Sequence, residues 1–373
     1  MPRVALTLLA SWHRTPGGTA RAAIGQARAL AETGEVDLIG VGAWGLGPYG
    51  RSPTDGAGLP IATRRFPAPQ QLLYGAWHRF RWPPVQLVTG RVDIVHATTI
   101  TVPPRGSAAA LVVTVHDLFP WTMPDRFSER GRRVLGRGLE LARDEADVVL
   151  VSSRHGLAEC VAHGFSADRM QVVPLGVEPG AEVGDQKVQA VRHRLGITGH
   201  MLLWVGTIEP RKNVELLLEM MGRLSDVACT LVLAGPSGWQ TELEPLVDVV
   251  ADRVRLLGRV SDAELVELYA AADLVLVPSW AEGFGLTALE GMAAGTPCVV
   301  SAGSALDEVV GDTGIALAPD DLDAWVETVE QLLEDADRRE LLGAAARIRS
   351  ESFSWERCAL ATLAAYSSAL GRS

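Results

Sequence analysis

The feature that most constrains this chain is an alternation, sustained almost from end to end, of short unbroken apolar runs with amphipathic stretches. Val4–Ala10, Val36–Val41, Val92–His96, Leu111–His116 and Val148–Ser152 read as strands, with helical patterns such as Thr19–Ala31 and Arg130–Ala146 between them. A second series follows: strands at Met201–Gly206, Thr230–Ala234, Val254–Leu257, Leu274–Pro278 and Cys298–Ser301, separated by helical patterns at Val214–Leu224, Asp262–Ala271 and Leu286–Ala294. Strands without a polar face belong to parallel sheets covered by helices on both sides. The predicted fold class is therefore α/β, with two Rossmann-like doubly wound domains. A length of 373 residues, about twice a typical domain, agrees with two. The join falls near residues 175–185, which gives domains at 1–180 and 181–354, and the Pro- and Gly-rich stretch Gly45–Pro60 reads as a surface loop.

Composition removes several classes of function. With 47% hydrophobic and 21% charged residues, the chain has enough apolar surface to fold and is not a disordered polymer. Its four cysteines, Cys160, Cys229, Cys298 and Cys358, form no CxxC pair, which argues against a disulfide scaffold or a cysteine metal site and for a reducing cytoplasm. No apolar run reaches the ~18 residues of a membrane span. The N-terminal apolar run meets Ser11, His13 and Arg14 too early for a signal peptide. The net charge of −11 disfavours bulk nucleic-acid binding. It conceals an asymmetry, because residues 1–180 carry 19 Arg and no Lys against 15 acidic residues. Lys187 and Lys212 are the only lysines.

In open parallel sheets ligands bind beyond the carboxyl ends of the strands, so the strand-end loops are where chemistry is expected. The most informative runs from Pro278 to Pro297, with Glu282 in a Gly-bearing turn and Glu290 about two turns into the following helix. The helix start offers the amides of Phe284, Gly285 and Leu286, backed by the positive end of the helix dipole, a setting that suits a phosphate. The spacing alone leaves two readings open, a ligand-facing carboxylate pair or an ordinary strand–loop–helix with two solvated glutamates. Arg211 and Lys212, in Val205-Gly206-Thr207-Ile208-Glu209-Pro210-Arg211-Lys212-Asn213, are adjacent cations at a helix start. Opposing the helix dipole there has a cost, and an anionic partner would offset it. His116, in Thr114-Val115-His116-Asp117, ends a strand and reads either as a structural histidine or as a site residue; His96 likewise reads as structural or acceptor-side. Gly17-Gly18 lies between the first strand and the first helix, where paired glycines serve as a turn or let backbone approach a phosphate.

Glu282 and Glu290, seven positions apart with Gly283-Phe284-Gly285 after the first, resemble the signature of the retaining glycosyltransferases of the GT-B fold, family four, also called group 1. The resemblance implies two facing domains with the active site in the cleft between them. It implies a nucleotide-diphosphate sugar as donor, with Glu282 at the sugar ring, Glu290 on the ribose, and the Phe284–Leu286 amides near diphosphate and sugar. Arg211 and Lys212 would then hold the donor phosphates, His116 would stand near the transferred sugar, and Gly17 and Gly18 would lie between phosphate and acceptor. Gly206 belongs to the same donor-side motif, and Val260, in Leu257-Gly258-Arg259-Val260, to the stretch that holds the base. Residues 355–373 are similar to the family's last helix, which returns to the N-terminal domain. The wording around Arg211 most resembles bacterial O-polysaccharide mannosyltransferases, which points to GDP-mannose. No Asp-x-Asp motif appears, so no metal and no cofactor beyond the donor substrate is expected.

Arg64, Arg65, Arg79 and Arg81 interleave with Phe66, Trp77, Phe80 and Trp82, and Arg126, Arg130, Arg132, Arg133 and Arg137 form a second basic set. These read either as solvated arginines over core aromatics or as a peripheral contact with the inner face of a membrane carrying a glycolipid acceptor. Two other functions compete with sugar transfer: a GT-B relative that rearranges or phosphorolyses a sugar, and a non-catalytic sugar-nucleotide-binding partner subunit. A dehydrogenase is disfavoured, since no clean GxGxxG follows a strand.

Overall fold

A computed structural model describes residues 1–12, 17–44, 59–106, 108–238 and 244–372. Of the expected Gly45–Pro60 loop, only the last two residues fall among these. The chain divides into two compact units: Met1–Gly176 with Trp355–Ser373, and Val177–Ser354.

The first unit holds strands β1 (Arg3–Thr7), β2 (Asp37–Trp44), β3 (Ala62–Pro69), β4 (Ile94–Ala97), β5 (Ala110–Val115), β6 (Val148–Val151) and β7 (Met170–Val172). They form one sheet in the order β3-β2-β1-β4-β5-β6-β7, and every pairing is parallel. The second unit holds β8 (His200–Val205), β9 (Cys229–Ala234), β10 (Val254–Gly258), β11 (Leu274–Val277), β12 (Cys298–Ser301) and β13 (Ile315–Leu317). Their order is β10-β9-β8-β11-β12-β13, again all parallel. Both sheets are doubly wound, so each has a switch point where the strand order reverses, between β1 and β4 and between β8 and β11.

The inner strands are buried along their whole length: β4, β5, β6, β9, β11 and β12 expose no residue. Sequence patterning misses β3, β7 and β13. Each closes a sheet edge, and β3 alternates exposed Arg and Pro with a single buried Phe66. An edge strand has only one sheet neighbour, so it is not required to be apolar on both faces.

The last helix, Trp355–Leu370, completes the core of the first unit by burying Cys358, Ala359, Thr362, Ala365, Tyr366 and Ala369. It packs on the Gly18–Thr33 helix at Gly25, where a Cβ would come 2.4 Å from the Trp355 ring; only glycine leaves room for the indole. Gln26 Nε2 donates to Thr362 Oγ1 at 2.9 Å across the same seam. Below it lies His96, fully buried on β4. Its Nδ1 is 2.8 Å from the Tyr366 hydroxyl and its Nε2 is 2.8 Å from Thr114 Oγ1. Both ring nitrogens are thus spent on core partners, and His96 is a structural residue of this unit. Burial, with a smaller contribution from His116, pushes its pKa down to about 3.

His96 is therefore neutral in the folded state, whereas the unfolded chain accepts its proton near the ordinary histidine value of about 6.5. Its contribution to stability is complete above that value and declines as pH falls towards 3. Between pH 7.5 and 5, chemical denaturation of the His96→Asn variant is expected to show about 2 kcal/mol less acid loss than wild type. Parallel losses would refute the buried neutral imidazole.

Candidate active site

The second unit places its charged residues at its switch point. After β8 the chain passes Gly206 and enters a single 3-10 turn, Pro210–Lys212; the Val214–Arg223 helix begins only after Asn213. Arg211 and Lys212 thus lie one turn ahead of the helix that the sequence suggested they open. Asn213 holds a left-handed backbone, φ 53°, and its Nδ2 donates to the carbonyls of Pro278 at 3.1 Å and Pro319 at 2.8 Å. Trp280 N donates to Arg211 O at 2.9 Å. These bonds fix the turn after β8 against the loop after β11, and they decide where the two cations stand.

Glu282 is the centre of the resulting group, its side chain only 12% exposed. Lys212 Nζ donates to its Oε1 at 2.7 Å, Ser279 Oγ to the same oxygen at 2.6 Å, and Arg211 Nη1 lies 3.3 Å from Oε2. Arg211 is itself shared: Nη2 donates to Glu209 Oε1 at 2.7 Å and Nη1 to the Ala281 carbonyl at 2.8 Å. Burial alone would raise the Glu282 carboxyl. Lys212 and Arg211, with the hydrogen bonds from Lys212 and Ser279, outweigh it and hold the pKa at about 2. Two cations thus face two carboxylates, and the group is neutral as a whole. Glu209, Ser279 and Asn213 join it without having been singled out from the sequence. Only Glu209 and Asn213 offered a signal, through their place in the Arg211-Lys212 motif.

Around this group the strand ends are stripped of side chains. β8, β9 and β10 are neighbours, and their carboxyl ends carry Gly206, Gly235 and Gly258, all at positive φ. A Cβ on Gly235 would come 1.6 Å from the Gly206 carbonyl oxygen, and one on Gly206 would crowd the Trp204 ring and lie 3.7 Å from Lys212 Cε. Gly235 N donates to Gly258 O at 2.8 Å, which ties the rim together. Val260 follows this rim, just before Ser261, whose side chain and Glu264 form a capping box at the start of the Asp262–Ala271 helix.

The loop after β11 turns into the Leu286–Ala294 helix at Gly285. Gly285 has φ 104°, and a Cβ there would lie 2.5 Å from Leu306, so both backbone and space require glycine. It supplies no capping side chain, and the first helical amides have no acceptor within the helix. Phe284 is buried edge-to-face on Phe353, at 5.9 Å, which leaves only its backbone as a ligand for the site. Leu286 opens the helix, and Glu290 follows on its second turn. Glu290 Oε2 accepts a hydrogen bond from the Tyr269 hydroxyl at 2.8 Å. Tyr269, buried on the neighbouring helix, is a positioning partner that the apolar pattern around it concealed.

His116, Gly17 and Gly18 belong to the first unit. His116 Nε2 is 3.0 Å from the Thr98 carbonyl. A carbonyl only accepts, so the proton is on Nε2 and Nδ1 keeps its lone pair. Burial lowers the imidazole's pKa, with the Thr98 bond acting the other way. Asp117 Oδ1 accepts from Phe119 N at 3.2 Å. Gly17 precedes the Gly18–Thr33 helix with φ −106°, and a Cβ on it would touch nothing within 4 Å among the described residues.

The two basic–aromatic sets divide. Phe66 and Trp77 are core residues in edge-to-face contact, and Arg81 is structural: it donates to the carbonyls of Trp77, Val102 and Pro103 and pairs with Glu145. They do not belong to an exposed face. Phe80 and Trp82, 70% and 62% exposed, are surface residues, and Arg64, Arg65 and Arg79 are exposed too. In the second set Arg133 and Arg137 pair with Glu129 and Glu140 of their own helix. No helix among the described residues is long and apolar enough to cross a membrane.

If Glu282 is held ionised chiefly by Lys212, the two depend on each other. Lys212→Met and Glu282→Gln are each expected to cost about 2–3 kcal/mol, and the double variant about 1–2 kcal/mol less than their sum. Additive losses on chemical denaturation would contradict the pairing.

Comparison with known proteins bears on the family and the fold. A family model described as "Glycosyl transferases group 1" matches residues 199–335, and one described as "Glycosyltransferase Family 4" matches residues 16–180. The chain is 34% identical over 284 residues to O-antigen chain mannosyltransferase B of Escherichia coli, covering 73% of this chain and 74% of that protein. It is 34% identical over 264 residues to D-inositol 3-phosphate glycosyltransferase of Xylanimonas cellulosilytica, covering 67% and 63%. Among solved structures, Anabaena HepE in complex with UDP and glucose superposes with a TM-score of 0.78 at 19% identity, covering 99% of this chain and 100% of that one. Sucrose-phosphate synthase from Thermosynechococcus elongatus does so with a TM-score of 0.80 at 21% identity, covering 100% of each. At these identities the structural likeness is one of fold, two Rossmann-like domains of the GT-B kind.

Proposed function

The chain belongs to glycosyltransferase family four, and we propose that it moves a hexose, mannose foremost, from a nucleotide-diphosphate sugar to a hydroxyl of a saccharide, glycolipid or small-molecule acceptor. The reaction retains the configuration of the anomeric carbon and uses no metal and no cofactor besides the donor. The observation that carries this reading is the Arg211–Lys212–Glu282 group at the switch point of the second unit, beside a glycine rim and an uncapped helix start. Mannose is supported by the 34% identity to the O-antigen mannosyltransferase, and GDP is the nucleotide that goes with it.

The chemical burden is charge. As the bond from the anomeric carbon to the phosphate oxygen breaks, its electron pair leaves with the diphosphate and the sugar becomes oxocarbenium-like. Arg211 and Lys212 exchange Glu209 and Glu282 for phosphate oxygens, and the Phe284–Leu286 amides add dipoles fixed in advance. Glu282, held ionised by Lys212 and Arg211 before the exchange, then turns towards the sugar ring, where the developing oxocarbenium charge takes the place of the two cations as its partner. The acceptor oxygen attacks from the face the phosphate leaves, and its proton passes to the departing phosphate oxygen. Glu290, aimed by Tyr269, takes the ribose hydroxyls. Gly206 and Val260 lie along the nucleotide. In the first unit His116 presents Nδ1 as an acceptor to the transferred sugar, and Gly17 and Gly18 leave space for phosphate and acceptor.

Exposed Phe80 and Trp82, with Arg64, Arg65 and Arg79, support a peripheral contact with the cytoplasmic face of a membrane when the acceptor is a glycolipid.

The test is turnover of GDP-mannose with saccharide acceptors, followed by GDP release and by NMR of the product's anomeric proton. An α-configured donor should give an α-linked product, and a chelator should not change the rate. Glu282→Ala and Lys212→Ala should each lower kcat/KM by about 10²–10³-fold while both proteins still unfold cooperatively. Near-wild-type turnover in both would remove the site assignment, and a β-linked product would remove retention.

A further inference from the structure

Glu209 is the charged member of the Arg211–Lys212–Glu282 group to which the transfer itself gives no work. Its carboxylate, 11% exposed, accepts from Arg211 Nη2 at 2.7 Å. The local fold does not depend on that bond. Glu209 precedes the Pro210–Lys212 turn, where its backbone carbonyl accepts from Lys212 N at 2.9 Å while its side chain caps nothing. Arg211 has other anchors: Nη1 donates to the Ala281 carbonyl at 2.8 Å, and its own carbonyl accepts from Trp280 N at 2.9 Å. Glu209 is held from its own side as well, because Ile208 donates to Pro236 O at 3.0 Å and accepts from Gly238 N at 2.9 Å. Its carboxylate therefore stands two residues from its partner on a backbone fixed at both ends, and it returns to that partner at a high effective concentration.

The guanidinium offers a planar fork. Nη1 carries the Ala281 carbonyl and lies 3.3 Å from Glu282, so Nη2 is the arm that Glu209 alone occupies among the printed side-chain partners and the arm a phosphate oxygen has to take. Glu209 and a phosphate compete for one donor. A competitor of this kind weakens every anion bound there, donor and product alike, and lost uniform affinity appears mainly as faster dissociation.

The competition matters most after transfer. A nucleotide-diphosphate sugar carries about −2 on its two phosphates, whereas the nucleoside diphosphate left behind has a free terminal phosphate and carries about −2.5 to −3. Two cations as poorly exposed as Arg211 and Lys212, at 15% and 14%, hold the more anionic product more tightly than the donor. Without a competing carboxylate the site would keep its product.

We propose that Glu209 sets the affinity of this site for phosphate and, by reclaiming Arg211 Nη2, drives out the nucleoside diphosphate after each transfer. The inference rests on the reading of this group as the donor site of a glycosyltransferase.

Calorimetric titration of wild type and Glu209→Gln with GDP, UDP, ADP and dTDP tests it. The nucleotide that wild type binds should bind the variant tenfold or more tightly. A residue that only orients Arg211 predicts the opposite sign. In turnover of the matching nucleotide-sugar, Glu209→Gln should lower the donor KM and the inhibition constant of the nucleoside diphosphate together, with kcat reduced by slow release and kcat/KM no lower than wild type. If Glu209→Gln does not fold, Glu209→Ala reads the same sign. Unchanged or weaker nucleotide binding in a variant that unfolds cooperatively, or a fall in kcat/KM, would overturn the proposal and leave the donor site standing. Binding of no nucleoside diphosphate by wild type or variant would remove the glycosyltransferase reading, and this inference with it.

Discussion

A carboxylate that is almost entirely buried has to be paired, and the arrangement around Glu282 follows from that requirement. Without Lys212 and Arg211 burial would favour its protonated form; with them it stays charged to about pH 2. The pairing needs the turn after β8 and the loop after β11 to meet, and these strands are neighbours in the sheet although separated in sequence by β9 and β10. Asn213 secures the meeting through the Pro278 carbonyl at the start of that loop, and ties the turn to the Pro319 carbonyl beyond β13 as well. The strand order of a doubly wound sheet thereby becomes a charge arrangement.

The neutrality of the group has a chemical consequence. A site of bare cations would bind any polyanion and would be expensive to desolvate. Here each cation already has a carboxylate, so an incoming diphosphate must offer more than Glu209 and Glu282 do. Two phosphate groups next to an uncapped helix start can do so, whereas a single weak anion cannot. The same exchange would turn Glu282 from a structural partner of Lys212 into a charge available to the sugar. Binding and activation would then be one event, carried by side chains that are already within 3.3 Å of each other.

Much of this was legible in the sequence, and the division has physical causes. Strands buried on both faces announce themselves as unbroken apolar runs, and the inner strands were found that way. The edges β3, β7 and β13 were not, because a strand with one neighbour is free to carry Arg64, Arg65 or Gln171. Glu282, Glu290, Arg211 and Lys212 were legible as a spacing of charges against glycines. The pairing of Glu282 with Arg211 and Lys212 was not, since it depends on which strand ends adjoin. Ser279 and Tyr269 were invisible for a simpler reason: a serine after a strand and a tyrosine on an apolar helix face have many ordinary uses. His96 was left between two readings by its sequence, and a buried Tyr366 from the opposite end of the chain resolves it as a core residue.

The central claim, that Lys212 and Arg211 leave their carboxylates for a diphosphate, is tested most directly by thermal unfolding of wild-type and Lys212→Ala protein with GDP, UDP, ADP and dTDP and with the matching monophosphates. Ligands that bind the folded state raise Tm by mass action. The account predicts a rise with one diphosphate, much smaller with its monophosphate, and lost in Lys212→Ala. Equal rises in wild type and Lys212→Ala, or equal rises with the diphosphate and the monophosphate, would contradict it.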